Sequence, residues 1–472
     1  MRGILASSIG VTCAAALALP LAPPAAAAAA DARPVPTAGA ATRAAVTARS
    51  DIPGSTRSLP LRTLARDRAS GAAVLGLTPR AVRPFSLLGV VWDDPAAELH
   101  GRVRVRTRAA GTGTWSGWRD VETHYSDHAA DPDDAEGAPE GVRGATAPLW
   151  VGESDGVEIR VRPEPGEGGT GEGGEAGALG VEGGEAGGSG GGDHAELPSG
   201  LRLELVDPGS EAPDGPRTAA MDAGATAASA ANSDLAPLGA LEIPALDGER
   251  TRRELLALRG AELTERQRAE PYIGPRPAVV TRRGWGADES LREKRFVYTG
   301  KVKAAFVHHT ASGNKYTCAQ TPSLIRGFYR YHVRSLGWRD IGYNFLVDKC
   351  GGIYEGRAGG VAKPVKGAHT MGFNTDTTGI AVIGSYGSKK PSSSAVKAVA
   401  RLTAWKLGLH GMNPRAKTYL KSGGGNLYRK GEKVRLNVIS GHRDGFNTSC
   451  PGGKLYKKLG TARSTAARYQ GR

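Results

Sequence analysis

Residues Ser440–Gly453, SGHRDGFNTSCPGG, place a histidine and a cysteine eight positions apart in a segment punctuated by Gly and Pro. A second pair of histidines lies upstream in FVHHT, residues 306–310, at the end of the apolar run AAFV. This run predicts a buried strand that ends at His308, so that its imidazole emerges at a sheet edge, where a site can form. His308, His442 and Cys450 therefore make a candidate three-ligand set that suits zinc and leaves one coordination position open, as catalysis requires.

Two other interpretations of these residue types stay open on the pattern alone. A buried histidine can be a hydrogen-bonded core residue, which is the interpretation we favour for His332 and His410, because both lie in helical patterns without a partner motif. A His/His/Cys set also occurs in blue-copper centres, where a weak axial Met completes the site. No Met follows Cys450, and Met412 lies well before the loop, so the pattern favours zinc over copper.

Seven motifs surround these residues over most of the last ~200 positions. They are RRGWGA (282–287), FVHHTA (306–311), YHVRSLGWRDIGYNFLVD (331–348), IYEGR (353–357), GAHT (367–370), GIAVIGSY (379–386) and GHRDGFNTSCPG (441–452). In this order they resemble the peptidoglycan-recognition proteins and the type 2 N-acetylmuramoyl-L-alanine amidases. The resemblance implies an α/β domain with a mixed central β-sheet flanked by helices. It also implies peptidoglycan as the partner and hydrolysis of the amide bond between N-acetylmuramic acid and L-alanine.

The same resemblance assigns site residues. It implies one Zn²⁺ ion held by His308, His442 and Cys450, and it leaves His309 outside the ligand set. Tyr343 in GWRDIGYNF matches a catalytic tyrosine whose hydroxyl orients water or stabilises the oxyanion, with core packing as the alternative.

Three further positions carry softer assignments. Thr448 falls where amidases of this family place a Thr or Lys that faces the tetrahedral intermediate. His369 of GAHT and Arg357 of EGR match residues that line the groove for the muramyl sugar and the stem peptide, and Arg357 suits bidentate binding of a stem carboxylate. Residues 358–360 are Ala-Gly-Gly where many relatives have Gly-Trp or Asn-Phe, so the stem-peptide type is not predicted.

The four cysteines fit a secreted metalloprotein. Residues 1–30 combine a positive start, an apolar core and a small-residue stretch, which is typical of a cleaved signal peptide, and Cys13 would leave with it. We expect Cys318 to pair with Cys350, near the strand where the family often carries a disulfide, which leaves the Cys450 thiolate for the metal. No other segment is long and apolar enough to span a bilayer, so we expect a secreted, extracellular or wall-associated protein without an integral membrane anchor.

The net charge of +15 hides an uneven distribution. Residues 271–472 contain 36 Lys and Arg against 9 Asp and Glu, a net charge of +27, whereas the remaining residues have a net charge of −12. A basic region suits the carboxylates and phosphates of a bacterial wall, with an attraction that weakens in salt. Nucleic acid is disfavoured as a partner, because the chain has no recognised nucleic-acid motif and no aromatics interleaved with its basic residues.

Composition also predicts the domain organisation. We expect residues 31–80 to be disordered or loosely packed, and 81–207 to form an all-β, sandwich-like domain with a Gly/Glu-rich loop at 163–193. We expect 208–277 to be a linker with one short charged helix around 252–258. The zinc amidase domain is expected at 278–472. The β prediction rests on alternation such as Val103 and Val105 with Arg104. Trp115 and Trp118 of that domain would suit stacking on sugars, although we favour packing in a turn or core.

Three classes of function compete on this sequence. The first is a zinc amidase, the second a non-catalytic protein that only binds peptidoglycan, and the third a wall-anchored adhesion or structural protein in which the β domain acts. The presence of all three candidate ligands together with Tyr343 favours the enzyme.

Overall fold

A computed structural model describes residues 54–66, 72–123, 125, 128–134, 136, 141–164, 195–209 and 221–472. All of them belong to one compact unit, Arg49–Arg472. The expected signal peptide and nearly all of the Gly/Glu-rich loop lie outside the described residues. Within the described ranges, no helix combines the length and the apolar character that a membrane span needs.

The N-terminal part is an antiparallel β domain. Its strands are β1 (Ser55–Pro60), β2 (Arg62–Arg66), β3 (Ala73–Trp92), β4 (Gly101–Ala109), β5 (Arg119–Val121), β6 (Gly144–Ala145), β7 (Leu149–Pro163) and β8 (Arg202–Asp207). They join in one hydrogen-bonded sheet of order β1-β8-β3-β7-β4-β5, with β2 and β6 each paired to β3. The register between β3 and β7 shifts several times, and such irregularities let a 20-residue strand bend around its core. Val103 and Val105 are fully buried in that core, as the alternation predicts.

Residues 31–80, expected to be disordered or loosely packed, form strands in part of the range that the structure describes. Residues 55–60 and 62–66 form strands, and β3 begins at Ala73. Both short strands show mainly exposed or half-buried side chains, because they are held by backbone pairing to β8 and β3 rather than by an apolar face. A strand of this kind leaves no hydrophobic period to detect in the sequence.

The C-terminal part is built on a seven-stranded mixed sheet. The sheet strands are β9 (Glu242–Ile243), β10 (Val279–Val280), β11 (Ala304–His309), β12 (Phe345–Val347), β13 (Ile353–Glu355), β14 (Thr377–Val382) and β17 (Ile439–Gly441), in the order β17-β11-β14-β12-β13-β10-β9. β15 (Lys417–Lys421) and β16 (Lys433–Asn437) form a separate antiparallel pair. β11 pairs in parallel with both β14 and β17, and β12 pairs in parallel with β14, whereas β13 runs antiparallel to β12.

Helices cover both faces of this sheet. They are α1 (Ala223–Ala230), α2 (Gly248–Arg259), α3 (Glu265–Ala269), α4 (Arg282–Trp285), α5 (Thr321–Arg330), α6 (Ser393–Gly408), α7 (Gly453–Tyr456) and α8 (Leu459–Tyr469). One face packs Val307 and Ile380 against α6 and α8, and the other packs Leu346 and Ala381 against α5. Every residue of β11 and β14 is buried, which confirms the prediction of an α/β domain with a mixed central sheet.

The expected linker at 208–277 is instead largely part of this domain. The helix expected around 252–258 lies inside α2, and β9 extends the central sheet at its edge. Ile243 and Leu255 are buried in the same core as α6. The Ala-rich composition predicts a linker, but Asp222 and Asp247 cap the starts of α1 and α2 by accepting backbone N–H groups, and alanine serves as a helix former in α1.

The two domains share an apolar interface. Leu87 and Val206 of the β domain pack in one cluster with Leu324 and Phe328 of α5. The Tyr331 hydroxyl donates to the Thr146 carbonyl at 2.9 Å. A Cβ at Gly89 would lie 2.2 Å from the Tyr331 hydroxyl oxygen, so β3 approaches this closely only because residue 89 is a glycine. The strands β3 and β8, with Thr146 after β6, are therefore packed against the C-terminal domain.

A disulfide joins Cys318 to Cys350, which confirms the predicted pairing. It ties the start of α5 to the turn that leads into β13. Cys450 takes no part in a disulfide and is buried.

Candidate metal centre

Two of the predicted ligands lie at the ends of neighbouring parallel strands. Phe306 is in register with Ser440, and Val307 with Gly441, so His308 and His442 leave β11 and β17 at the same edge of the sheet. His442 begins a 3₁₀ turn in which the Asp444 carboxylate accepts the Gly441 N–H at 2.9 Å. The shared edge explains how residues more than a hundred positions apart come together.

The third predicted ligand, Cys450, lies on the loop that follows this turn. The Cys450 N–H donates to the Thr448 hydroxyl at 3.1 Å, and the Arg443 N–H donates to the Cys450 carbonyl at 3.1 Å. These bonds hold the Cys450 sulfur 3.9 Å from Nδ1 of His308. The contact found for Thr448 is thus one that shapes the cysteine loop, and its predicted role at a reaction intermediate stays a prediction.

A fourth residue, which no pattern in the sequence singles out, completes the group. The ligand atoms of His128, His308, His442 and Cys450 all lie within 4.8 Å of one another, and all four residues are buried. His128 Nε2 is 3.5 Å from the Cys450 sulfur. Imidazoles and a thiolate in one buried cluster are the donor set that zinc prefers, so the residues fit that ion. His309 lies outside the group and accepts the Tyr386 N–H through Nδ1 at 3.2 Å.

The surroundings keep His308 in the form that binds a metal. Burial, reinforced by the neighbouring imidazoles, lowers the pKa of His308 well below its ordinary value, so the ring is neutral near pH 7. Its Nε2 is 3.4 Å from the Thr370 hydroxyl, which leaves Nδ1 turned toward the sulfur. Partners of this kind orient metal-binding imidazoles.

His369, predicted to line the substrate groove, lies behind this ligand. It is fully buried, and its Nδ1 is 3.0 Å from the Thr370 hydroxyl, so it is connected to His308 through that side chain. A Cβ at Gly379 would lie 2.3 Å from the His369 ring, which shows why β14 carries a glycine there. These contacts place His369 in support of the ligand, and direct contact with substrate stays a prediction.

Tyr343 lies beside the cluster and within a line of buried hydroxyl and imidazole groups. Its ring centroid is 5.6 Å from that of His308, and its hydroxyl is 3.3 Å from the Tyr125 hydroxyl. Nδ1 of His332 accepts the Gly342 N–H at 3.1 Å, which puts the proton on Nε2, and Nε2 donates to the Tyr125 hydroxyl at 2.8 Å. His332 is therefore a buried, hydrogen-bonded residue, as favoured from its sequence context, but it is connected to the site.

Arg357 follows β13 and lies next to Tyr343. Its backbone N–H donates to the Tyr343 carbonyl at 2.8 Å, and its Nε donates to the Ile341 carbonyl at 2.9 Å. Its two terminal nitrogens donate to both carboxylate oxygens of Glu136, at 2.7 and 2.6 Å. Burial opposes the charge on Glu136, but Arg357 outweighs it and lowers the pKa of that carboxyl group. The guanidinium predicted to bind a substrate carboxylate thus holds a carboxylate of its own chain.

Comparison with known proteins agrees with this geometry. A family model described as N-acetylmuramoyl-L-alanine amidase matches residues 298–453. A second model, described as Rv3811 N-terminal galactose-binding domain-like, matches residues 40–181, and so includes β1 and β2. The prediction of a separate N-terminal β domain is thereby confirmed, with an earlier start than expected.

Relatives found by sequence include peptidoglycan-recognition proteins of Drosophila. Peptidoglycan-recognition protein SC1a of Drosophila melanogaster is 30% identical over 189 residues, which are 40% of this chain and 87% of that protein. Peptidoglycan-recognition protein SC2 of Drosophila simulans is 27% identical over 183 residues, or 39% of this chain and 85% of that protein. Among solved structures, peptidoglycan recognition protein-LE in complex with tracheal cytotoxin, a monomeric diaminopimelic acid-type peptidoglycan, is 28% identical over 39% of this chain and 92% of that chain, with a TM-score of 0.31.

Proposed function

Because this chain belongs to the peptidoglycan-recognition protein family, we propose that it is a zinc-dependent amidase that hydrolyses the bond between N-acetylmuramic acid and L-alanine. The observation that carries the proposal is the buried group of His308, His442 and Cys450 at one edge of the sheet. A protein that only binds peptidoglycan needs a groove, but it has no use for a thiolate and imidazoles gathered within ligand distance. The matching amidase family model supports the same reaction.

These three residues would hold the Zn²⁺ ion. When bound, zinc polarises the carbonyl of the scissile amide and lowers the pKa of a water molecule toward neutrality. The neutral state of His308 and the orienting contact from Thr370 prepare the chain for that ion.

Tyr343 would supply a proton donor to the oxygen that becomes negatively charged as the amide is attacked. Its hydroxyl lies in a water-poor setting, with the side chain 1% exposed, where a hydrogen bond to a developing charge has its largest effect. Thr448 would be a second, weaker donor on the cysteine loop. Arg357 would bind a stem-peptide carboxylate through the paired nitrogens that now hold Glu136.

We propose further that the protein acts outside the cell, as a secreted or wall-associated enzyme. The support is the character of residues 1–30, the Cys318–Cys350 disulfide, and the strongly basic C-terminal region, which suits an anionic wall.

Digestion of intact sacculi tests the reaction. The purified mature protein should create new L-alanine amino termini while leaving glycan strands whole, as read by mass spectrometry of the fragments. The matched variant is Cys450→Ser, which removes the thiolate of the group and leaves only imidazoles, so that zinc is held much more weakly against a chelator. This variant should lose zinc and hydrolysis and keep appreciable wall binding in a pull-down at two salt concentrations. Cut glycan, or full activity in a zinc-free Cys450→Ser protein, would contradict the proposal, and binding without release by the wild type would make the protein a sensor.

Tyr343→Phe tests the second part of the mechanism, because it deletes the hydroxyl and keeps the ring. Losing one donor to an oxyanion costs about 10² to 10³ in rate, or ~3 to 4 kcal/mol. Zinc content should stay near one per chain. Tyr354→Phe is the control, since it removes a buried hydroxyl that donates to Asp348 away from the site. Equal rates for the two variants would return Tyr343 to a packing role.

A further inference from the structure

The loop between β5 and β6 enters the candidate site from the β domain. We call its described residues, Tyr125, 128–134 and Glu136, the groove segment. The segment touches the metal cluster at one end and Arg357 at the other, so it covers the same atoms that the proposed substrate would need.

At the metal end, the segment brings an imidazole into the ligand cluster. His128 is 3% exposed, and its ring centroid lies 4.5 Å from that of His442 and 5.2 Å from that of His308. The Tyr125 ring stacks on His128 with centroids 4.6 Å apart, while its hydroxyl reaches the Tyr343 hydroxyl. A catalytic zinc site has three protein ligands and one open position, and a fourth protein ligand closes such a site.

At the other end, the segment puts a carboxylate on Arg357. The two side chains are only 8% and 9% exposed, and the pairing is bidentate, which is the geometry expected for a stem-peptide carboxylate on this arginine. Between the two ends, the Asp131 carboxylate accepts the Gly372 N–H at 2.8 Å and an Asn374 side-chain N–H at 2.9 Å.

Charge complementarity extends along the rest of the segment. Lys366 Nζ is 2.6 Å from an Asp134 carboxylate oxygen and 3.8 Å from one of Asp131. Asp133 pairs with Lys430, but both side chains are about two-thirds exposed, so this contact adds little. The acidic segment therefore binds to the basic domain much as an anionic wall polymer would.

We propose that the groove segment is a built-in inhibitor, in which His128 closes the metal site and Glu136 occupies the carboxylate position on Arg357. Substrate and segment compete for the same groups, so the substrate enters only when the segment leaves. Since the groove segment and the groove are parts of one chain, the segment acts at a high effective concentration and can block the groove without great intrinsic affinity. Tyr125 belongs to the apolar cluster between the domains and stays in place, so the part that lifts away comprises residues 128–134 and Glu136. The identity of the competing substrate rests on the proposed function.

The test uses the full mature chain and two variants, His128→Ala and the double variant His128→Ala/Glu136→Gln. The control makes the same two chemical changes on the exposed surface of the β domain, as His100→Ala/Glu98→Gln; these side chains are 54% and 50% exposed. The first readout is the visible absorption spectrum of the Co²⁺-loaded proteins, which reports the ligands of the metal. The second is the affinity for a fluorescent muramyl tripeptide analogue that cannot be hydrolysed.

We expect His128→Ala to change the Co²⁺ spectrum and added imidazole to restore it. The double variant should bind the analogue at least about tenfold more tightly than the wild type, because intramolecular competition is removed, and the control should match the wild type. An unchanged spectrum, or an unchanged affinity in the double variant, would overturn the inference. So would a folded, metal-loaded His128→Ala protein that no longer releases peptide, since His128 would then be needed for hydrolysis.

Glu136→Gln alone covers the case in which His128→Ala does not fold. It keeps the shape of the side chain and removes its charge, and we expect the affinity for the analogue to rise about threefold or more; no rise would overturn the inference.

Failure of the inference and failure of the proposed function are distinguishable. Tighter binding of the analogue without peptide release from sacculi by any variant retains the inhibitor and rejects the amidase. Equal peptide release by the wild type and the double variant retains the amidase and rejects the inhibitor.

Discussion

Two buried arginines of the C-terminal domain, Arg282 and Arg357, differ in where their counter-charges come from. Arg282 donates to Glu289 at 2.7 Å and to Asp340 at 3.0 Å, all within its own domain and all almost fully buried. Arg357 is also buried, but its carboxylate is Glu136, 221 positions away on a loop of the β domain. Burial of an arginine therefore does not mark a binding residue. What separates the two is whether the counter-charge can leave without unfolding the domain.

The Arg282 cluster has the features of a structural site. Burial would lower the pKa of Arg282, but Asp340 and Glu289 outweigh it and raise that pKa well above its ordinary value. The Arg282 N–H also donates to the Glu355 carboxylate at 3.1 Å, and the Trp285 indole donates to the Glu355 carbonyl at 2.7 Å. The RRGWGA motif thus attaches α4 to β13 and contributes no group to the metal cluster.

Arg282→Met should have the largest effect on stability. It leaves the buried Asp340 carboxylate without its guanidinium partner and Glu289 with only Arg292, and breaking such a cluster costs about 3–5 kcal/mol of unfolding free energy. Urea unfolding measures the loss. Arg334→Met, an exposed position in the same domain, is the control and should change stability by less than ~0.5 kcal/mol. A loss below about 1 kcal/mol for Arg282→Met would contradict a structural role for the cluster.

Arg357→Met should destabilise the protein less, by about 1–3 kcal/mol, because Glu136 can turn into water when its loop lifts from the groove. Adding Glu136→Gln to this variant should change stability little further, since the partner is already gone. The same urea experiment on the two variants measures both effects. A loss equal to that of Arg282→Met would show that the groove segment is as fixed as the core, and the contrast between the two arginines would fail.

The contrast also explains which parts of the site the sequence could predict. His308 could be proposed because it ends an apolar run, and His442 because it lies with Cys450 in a segment punctuated by Gly and Pro. The parallel register of β11 and β17 then brings both to one edge. His128 and Glu136 could not be proposed, because they lie in an Asp-rich stretch that by composition belongs in solvent. The partners that neutralise this stretch are more than 200 positions away, and no local pattern connects them. Helix α1 was not predicted for a related reason, since alanine suits both linkers and helices and only packing decides.

Lys406 in α6 is a third buried cation, and it differs from the two arginines in its partners. Its ammonium group donates to the carbonyls of Val361 and Lys363, at 2.7 Å each, and not to a carboxylate. Burial, with a smaller contribution from the charge of Arg259, lowers its pKa from 10.5 to about 7. At both arginines, carboxylate partners outweigh burial and raise the pKa. At Lys406, the neutral carbonyls do not offset burial, and the pKa is lowered.

The last predicted effect is a dependence of stability on pH. Below pH 7 the folded and unfolded states both hold the Lys406 proton, so this group adds no slope. From about pH 7 to 10.5 the unfolded chain binds more protons than the folded one, and stability rises with pH by at most about 1.4 kcal/mol per unit. Lys406→Met should remove this rise, so the stability of the wild type relative to the variant should grow between pH 7 and pH 9 when urea unfolding is measured at each pH. Lys397→Met, at an exposed position of the same helix, should keep the wild-type slope. Parallel curves for wild type and Lys406→Met would mean that Lys406 stays charged in the core, and that two carbonyls stabilise a buried cation as well as a carboxylate does.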